Sequence, residues 1–425
     1  LDSRLKPLEH PTIVDEDNNE YIDKTRVHVR PIHVLDIVNL IGNNVVVGGV
    51  RRTSEIFLCD SDDEEVINAK SYITPDLSHR YMSNNSIVFN EKPTREKLHE
   101  YIQSIKINGE PGLINMEAIS KRRPNARGVN PCGEVLLDSY GVCNLTTINV
   151  LSFVKENEGV AMLDYSGLME AQALSVRAGI RMTCLDLELP HWNKVHKRDR
   201  LIGCSMTGWQ DAMGKLGYTK EQEQNLLRLL GEVAYNESVK YSHILRIPTP
   251  LLNTTIKPEG TLSQVAGGVS SGLHTSYAPY YIRRIRINSH DPLVKVVKKL
   301  NWRIHPEVGQ DMETANTLVI EFPVKSSSVK TRKDITIDEQ FENYLMFQEY
   351  YTDHNSSNTM YVRDDEWDRV EELIWEHWDE FIGVTFLPYD GGNYELMPYE
   401  ECSEEEYNDL LESMLPFDSK LLFEI

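Results

Sequence analysis

The sequence predicts an α/β fold, and three observations carry that expectation. Short apolar, β-branched runs recur at 44–47, 54–58, 86–89, 317–322 and 383–387, each bounded by polar, Gly or Pro residues as strands are. Amphipathic stripes lie between them. Leu168, Ala171, Leu174, Ala178 and Met182 share one helical face of 167–182, and Leu226, Leu229, Leu230, Val233 and Val239 share one of 221–246. The two patterns alternate, with further helices expected over 292–300, 338–351 and 365–381, and such alternation implies mainly parallel strands. No repeat of fixed period and no low-complexity linker divides the 425 residues. Residues 1–400 are expected to form the main body, and 401–425 an acidic surface segment docked through Tyr407, Leu410, Leu411 and Leu415.

Charge narrows the function classes. Asp and Glu total 66 against 44 Lys and Arg, a net charge of −22, and residues 361–425 alone account for −17. Non-specific binding to nucleic acid or to an anionic membrane needs a basic stripe, so neither partner is expected. An anionic substrate in the body of the chain stays compatible with this balance. The six cysteines, at 59, 132, 143, 184, 204 and 402, form no C-x-x-C pair, which argues against a disulfide scaffold and a structural zinc site; no metal site is expected. The near-apolar run 45–50 is far too short to span a bilayer, and residues 1–6 lack the apolar core of a signal peptide. A reducing, cytoplasmic setting is expected.

Chemistry concentrates in two stretches. In Asn130-Pro131-Cys132-Gly133-Glu134, Pro131 stiffens the chain and Gly133 permits unusual backbone angles, so Cys132 is expected at a loop tip. An amide lies two residues before the thiol and a carboxylate two residues after it, which are the parts of a reactive thiol site. The same residues also make an ordinary turn with a half-buried cysteine. The second stretch is Lys257-Pro258-Glu259-Gly260-Thr261-Leu262-Ser263, where a strand enters a Pro/Gly turn and a helix start. Bare backbone N–H groups there suit phosphate, and Gly260 allows close approach. A plain strand–turn–helix with Thr261 as N-cap fits equally. His191 and His196, five apart, read as surface or core histidines, and Trp367, Trp375 and Trp378 as packing residues.

Taken together, these segments resemble ribonucleotide reductase, most closely its adenosylcobalamin-dependent (class II) ribonucleoside-triphosphate form. The matches run in order: Gly48-Gly49-Val50-Arg51-Arg52-Thr53-Ser54-Glu55-Ile56, Ser83-Asn84-Asn85-Ser86, Asn108-Gly109-Glu110-Pro111-Gly112, the Cys132 and Lys257 stretches, Cys143-Asn144-Leu145, residues 274–286, Leu387-Pro388-Tyr389 and Gly391-Gly392. The resemblance implies a ten-stranded α/β barrel built from two half-barrels, with the catalytic cysteine on an inner loop. It implies that Cys132 carries a thiyl radical that removes the ribose 3′-hydrogen, that Glu134 takes the 3′-hydroxyl proton, and that Asn130 hydrogen-bonds the sugar. Cys143 would be one of two reducing thiols, and Pro258, Glu259, Gly260, Thr261, Leu262 and Ser263 would hold the substrate phosphates. Adenosylcobalamin is the implied cofactor, a ribonucleotide the substrate, and a thioredoxin-like protein the reductant. The 11-residue spacing of Cys132 and Cys143 is like that of the cobalamin group. The single tyrosine in Asn358-Thr359-Met360-Tyr361-Val362 departs from the tandem pair of the diiron-dependent enzymes.

The resemblance also sets expectations about completeness. The family's second reducing cysteine lies upstream of the 48–56 segment, and Cys59 is not at its position. Neither the effector-binding region nor the C-terminal cysteine pair has a counterpart, since Cys402 stands alone. The first half-barrel is therefore expected to be largely absent, the chain being either a truncated portion of a reductase or one piece of a split enzyme, and without that half multiple turnover is not expected. Two alternatives remain at this point: a reductase fed its radical by a ferritin-like subunit, and a nucleotide-binding partner piece of a split reductase.

Overall fold

In a computed structural model the fold is described for residues 12–14, 20–22, 27–44, 46–47, 51–52, 54–142, 144–308, 310–328, 330–389 and 396–424. Cys143, Thr53 and residues 48–50 and 391–392 of the matched segments lie outside them. Strands Glu55–Asp60, Ser83–Phe89 and Gly112–Asn115 pair in parallel, and Gly383–Val384 lies antiparallel on the last of these. Strands Asn144–Asn149 and Ile202–Thr207 form a second parallel pair. Parallel bridges from Cys204 to Thr254 and from Ile256 to Ser356 extend it. Asn358 joins the two sets, donating from Nδ2 to the Gly383 carbonyl at 2.8 Å and accepting from the Thr385 N–H at 3.1 Å. The result is two sets of parallel segments with Gly383–Val384, antiparallel to Gly112–Asn115, at the join. Among the described residues the two ends, Asn144–Asn149 and Glu55–Asp60, do not pair with each other.

Three parallel strands precede the cysteine loop. Gly112–Asn115 is only four residues long, opens on Gly and is buried on both faces, so no alternation announces it. Parallel pairing needs crossover connections, and helix Arg95–Asn108 is one. Its Thr94 side chain accepts from the Lys97 N–H at 3.3 Å, and Leu98, Ile102 and Ile105 enter the main core with Phe89. Gly109 ends the helix at φ +85°, where a Cβ would sit 2.6 Å from Leu387 Cδ1 and 3.0 Å from the Phe386 carbonyl.

The expectation of mainly parallel strands is not met: among the described residues eight strand pairings are antiparallel and four parallel. Tyr280–Asn288 and Thr317–Lys325 pair antiparallel over their full nine residues, flanked by Ile304–Pro306 and Tyr399–Glu401. A separate cluster of Ile287, Val294, Val297, Leu318 and Ile320 with Trp302 underlies this sheet. Arg284 and Glu321 form a buried ion pair within it at 2.7 Å. The acidic segment holds helix Glu404–Ser413, closed at its start by a Ser403–Glu406 capping box and buried only at Leu410. The Leu415 N–H and carbonyl bond the Leu300 carbonyl and the Trp302 indole, at 2.9 and 3.0 Å.

Helix Pro31–Asn44 buries Ile32 and Leu35 and carries Asp36 against Arg80, which donates to it at 2.7 and 2.9 Å, with His79 at 2.9 Å. Burial alone would raise the Asp36 pKa, but the Arg80 and His79 contacts outweigh it and the net shift is downward. A carboxyl depressed on folding stabilises the fold above its unfolded pKa of about 4, and that contribution fades as pH falls through the folded value. Asp36→Asn should therefore lower the urea midpoint at pH 7 and flatten its fall below pH 4. An unchanged midpoint at pH 7 would show that this contact adds nothing.

Candidate active site

The expected loop tip is a hairpin end. Gly128–Val129 and Leu136–Leu137 pair antiparallel, and residues 130–135 close the turn. Asn130 Oδ1 accepts from the Val135 N–H at 2.8 Å, the Gly133 N–H donates to the Asn130 carbonyl at 2.8 Å, and Gly133 stands at φ +75°. Four consecutive carbonyls of this loop then accept hydrogen bonds from other elements. Asn84 Nδ2 reaches the Pro131 carbonyl at 3.1 Å, Ser357 Oγ that of Cys132 at 2.9 Å, and Asn355 Nδ2 that of Gly133 at 2.8 Å. The Glu134 carbonyl takes the Thr255 hydroxyl at 2.8 Å and the Asn355 N–H at 3.1 Å. His354 Nδ1 accepts from the Leu136 N–H at 3.2 Å, so its Nε2–H donates to the Ile202 carbonyl at 3.0 Å. Burial pushes the His354 pKa down to about 3, which keeps this link neutral.

These partners were not legible as site residues. Residues 354–358, His-Asn-Ser-Ser-Asn, look like a surface loop in sequence, yet all five are buried. The signal was the run of polar residues beside an apolar strand, since a buried polar run must spend its hydrogen bonds on something.

Cys132 is solvent-accessible, while the protein around it withdraws water from the thiol and pushes its pKa up to about 11. Glu134 adds to that rise and Lys257 opposes it. Burial here disfavours the thiolate form of Cys132. The Glu134 side chain is buried, with Oε2 lacking a hydrogen-bond partner among the described residues. Burial raises its pKa against the opposing pull of its own backbone N–H, Asn130 and Lys257. Cys59 lies buried on its strand with its thiol 3.6 Å from the Ser86 carbonyl and its pKa raised to about 12 by burial and by Asp63 and Asp60. Cys59, Cys132, Cys184, Cys204 and Cys402 are all free thiols.

The second stretch lies beside the first. Lys257 Nζ donates to Thr147 Oγ1 at 3.0 Å, and Thr147 donates to Glu259 Oε1 at 2.8 Å. Glu259 is buried at φ +58°, its carboxylate turned toward Lys257 at 3.5 Å. Thr261 makes no side-chain cap of the helix that follows. The amides of Gly260, Thr261 and Leu262 have no acceptor among the described residues, and a Cβ added at Gly260 would meet nothing within 4 Å. Pro258 and Gly260 border a cavity of about 720 Å³, whose wall also includes Tyr277, Arg332, Tyr361 and Tyr399. Cys132 and Glu134 are not part of that wall. His196 is buried against Asn144 at 3.0 Å, and His191 stacks on Tyr140. No trio of His, Cys, Asp or Glu among the described residues is placed to hold a metal ion, and no described helix is long and apolar enough to cross a membrane.

A thiol on a clamped loop, a buried carboxylate two residues on and an open amide turn lie together in this α/β domain. The chain belongs to the ribonucleotide reductase family: residues 21–246 match the family's barrel domain. It is 29% identical over 92% of its length to an adenosylcobalamin-dependent ribonucleoside-triphosphate reductase of Lactobacillus acidophilus. A probable enzyme of the same description from Dictyostelium discoideum is 33% identical over 92% of the chain. A solved B-12 dependent (class II) ribonucleotide reductase superposes on 92% of the chain at a TM-score of 0.77 and 26% identity. The chain spans 56% and 51% of the two relatives and 58% of the solved chain, about half their length.

Proposed function

We propose that the chain carries the catalytic site of an adenosylcobalamin-dependent ribonucleoside-triphosphate reductase, which converts ribonucleotides to 2′-deoxyribonucleotides. One observation carries this reading: a protonated, accessible thiol on a clamped loop, two residues from a buried carboxylate with an unpartnered oxygen. Cys132 as a thiyl removes the 3′-hydrogen of the ribose, and Glu134 Oε2 takes the 3′-hydroxyl proton. Asn130, whose Oδ1 is engaged by Val135, orients the sugar from the loop's start. Departure of the 2′-hydroxyl as water needs two electrons from a thiol pair; Cys143 is proposed as one member, reduced in turn by a thioredoxin-like dithiol.

The cavity of about 720 Å³ has Tyr277, Tyr361 and Tyr399 in its wall and the size of an organic-ligand site. Adenosylcobalamin, when bound, would supply an organic radical to which the Cys132 thiol gives up its hydrogen atom. A ten-stranded barrel is the proposed complete form, and the edge of Glu55–Asp60 that is unpaired among the described residues, with the half-length match to the relatives, supports further strands pairing there. Deoxynucleoside triphosphate formation from a ribonucleoside triphosphate, adenosylcobalamin and dithiol tests the reading directly. Its absence in every assembly containing this chain refutes it.

The turn formed by Pro258, Glu259, Gly260, Thr261, Leu262 and Ser263 is proposed to hold the triphosphate on its open amides. Gly260→Val should fold, because the added side chain meets open space. It should weaken nucleotide binding by about 1–3 kcal/mol through blocked charge-assisted hydrogen bonds. Calorimetric titration with nucleoside triphosphate measures this, and unchanged affinity would move the phosphates elsewhere.

A further inference from the structure

We propose that Arg332 is a binding residue for an organic phosphate that enters the cavity of about 720 Å³ bordered by Pro258 and Gly260. The inference rests on the reading above, which brings a triphosphate to that turn, and adds a cation to it. Arg332 stands in the same cavity wall as Tyr277, Tyr361 and Gly260. Its backbone is fixed on both sides. Ser276 and Thr331 form a parallel bridge, and the Arg332 N–H donates to the Ser276 carbonyl at 3.0 Å. Thr331 donates from its N–H and its hydroxyl to the Asp334 carboxylate, both at 2.8 Å. The guanidinium carbon then lies 3.8 Å from the centre of the Tyr277 ring, with the Tyr389 and Tyr361 rings at 5.0 and 5.4 Å.

Rings cover the flat face of a guanidinium and leave its edge, where the N–H donors point, for an acceptor. Among the described residues that edge meets none: Nε is buried without a hydrogen-bond partner, and the guanidinium forms no ion pair. A buried donor left unmet is costly. Neighbouring cations are engaged: Lys330 on Glu339 at 2.8 Å, Arg363 on Glu366 at 3.2 Å, and Lys333 on Glu401. Arg283, stacked on Tyr399, donates to the Pro398 carbonyl at 2.9 Å. In a chain of net charge −22, the stacked Arg332 is thus left for an acceptor that arrives from outside. Phosphate is the class that fits. Its oxygens match the guanidinium fork, and they equally suit the amides of Gly260, Thr261 and Leu262, which also lack acceptors among the described residues. Under the proposed reaction the phosphate has two sources, the nucleoside triphosphate and the phosphodiester of adenosylcobalamin.

Calorimetric titration of the full chain separates these sources without relying on turnover. Four probes are used: a nucleoside triphosphate, the matching nucleoside, adenosylcobalamin, and adenosylcobinamide, which lacks the phosphodiester. Arg332→Gln should weaken the triphosphate about tenfold and leave the nucleoside unchanged, because only the phosphate uses the guanidinium. Arg332→Lys should lose less, since an ammonium keeps the charge without the fork. If Arg332→Gln fails to fold, Arg332→Lys carries the same comparison in reduced size. A loss confined to adenosylcobalamin, with adenosylcobinamide unchanged, assigns the phosphate to the cofactor. Unchanged affinity for both phosphate-bearing ligands overturns the assignment. So does an equal loss with their phosphate-free counterparts, or a wild-type chain that binds neither. Weakening in Arg332→Gln with none in Gly260→Val refutes the phosphate turn and leaves Arg332 standing. A chain that makes no deoxynucleotide but shows the Arg332 effect refutes the proposed reaction alone.

Discussion

Cys132→Ser is expected to reduce deoxynucleotide formation to background while leaving fold and nucleotide binding near normal. An O–H bond is far stronger than S–H, so serine is a poor hydrogen-atom donor and, once oxidised, an unselective radical. The fold should tolerate the change because nothing that positions residue 132 uses its side chain; Ser357 holds its carbonyl, and the neighbouring carbonyls are held in the same way. Product analysis with radiolabelled ribonucleotide reads the loss, and calorimetry reads the binding. Retained turnover in Cys132→Ser would sink the thiyl assignment.

The largest stability effect is expected at Asp199. It pairs with Arg123 at 2.5 Å, and both side chains are only 2% exposed. Removing one partner of such a pair strands the other charge in a low-dielectric interior, which costs about 3–5 kcal/mol. Arg123 also donates to the Leu136 carbonyl at the base of the cysteine hairpin, so Asp199→Ala should disturb the loop as well as the global fold. Urea denaturation measures the first effect. A loss of only a few tenths of a kcal/mol would mean that water reaches the freed guanidinium.

The sequence was read correctly where one local signal dominates. The stripes at 167–182 and 221–246 became helices Tyr165–Met182 and Lys220–Leu245, and the run 317–322 lies within strand Thr317–Lys325. It was misread where burial is two-sided. Ile202–Thr207 is buried at every position, yet Gly203, Cys204, Ser205 and Thr207 give it neither apolar continuity nor alternation. The run 383–387 split at Thr385 into Gly383–Val384 and Phe386–Pro388, which pair with different strands, because Asn358 and Met360 engage the backbone at that point. In the site, the family motif marked Cys132, Glu134 and Asn130, since loop residues with unusual chemistry stand out. The residues that hold the loop, Asn84, Thr255, Asn355 and Ser357, come from segments 47 to 225 positions away and have no local signature.

That manner of holding has a consequence for redesign. Because the bonds that fix residues 131–134 end on peptide oxygens, the loop's address is written separately from its chemistry. A different atom set, such as a selenol at 132 or a shorter acid at 134, can be installed without re-solving where it stands. The scaffold behaves as a socket, and exchange of the chemical head becomes a substitution problem rather than a folding problem.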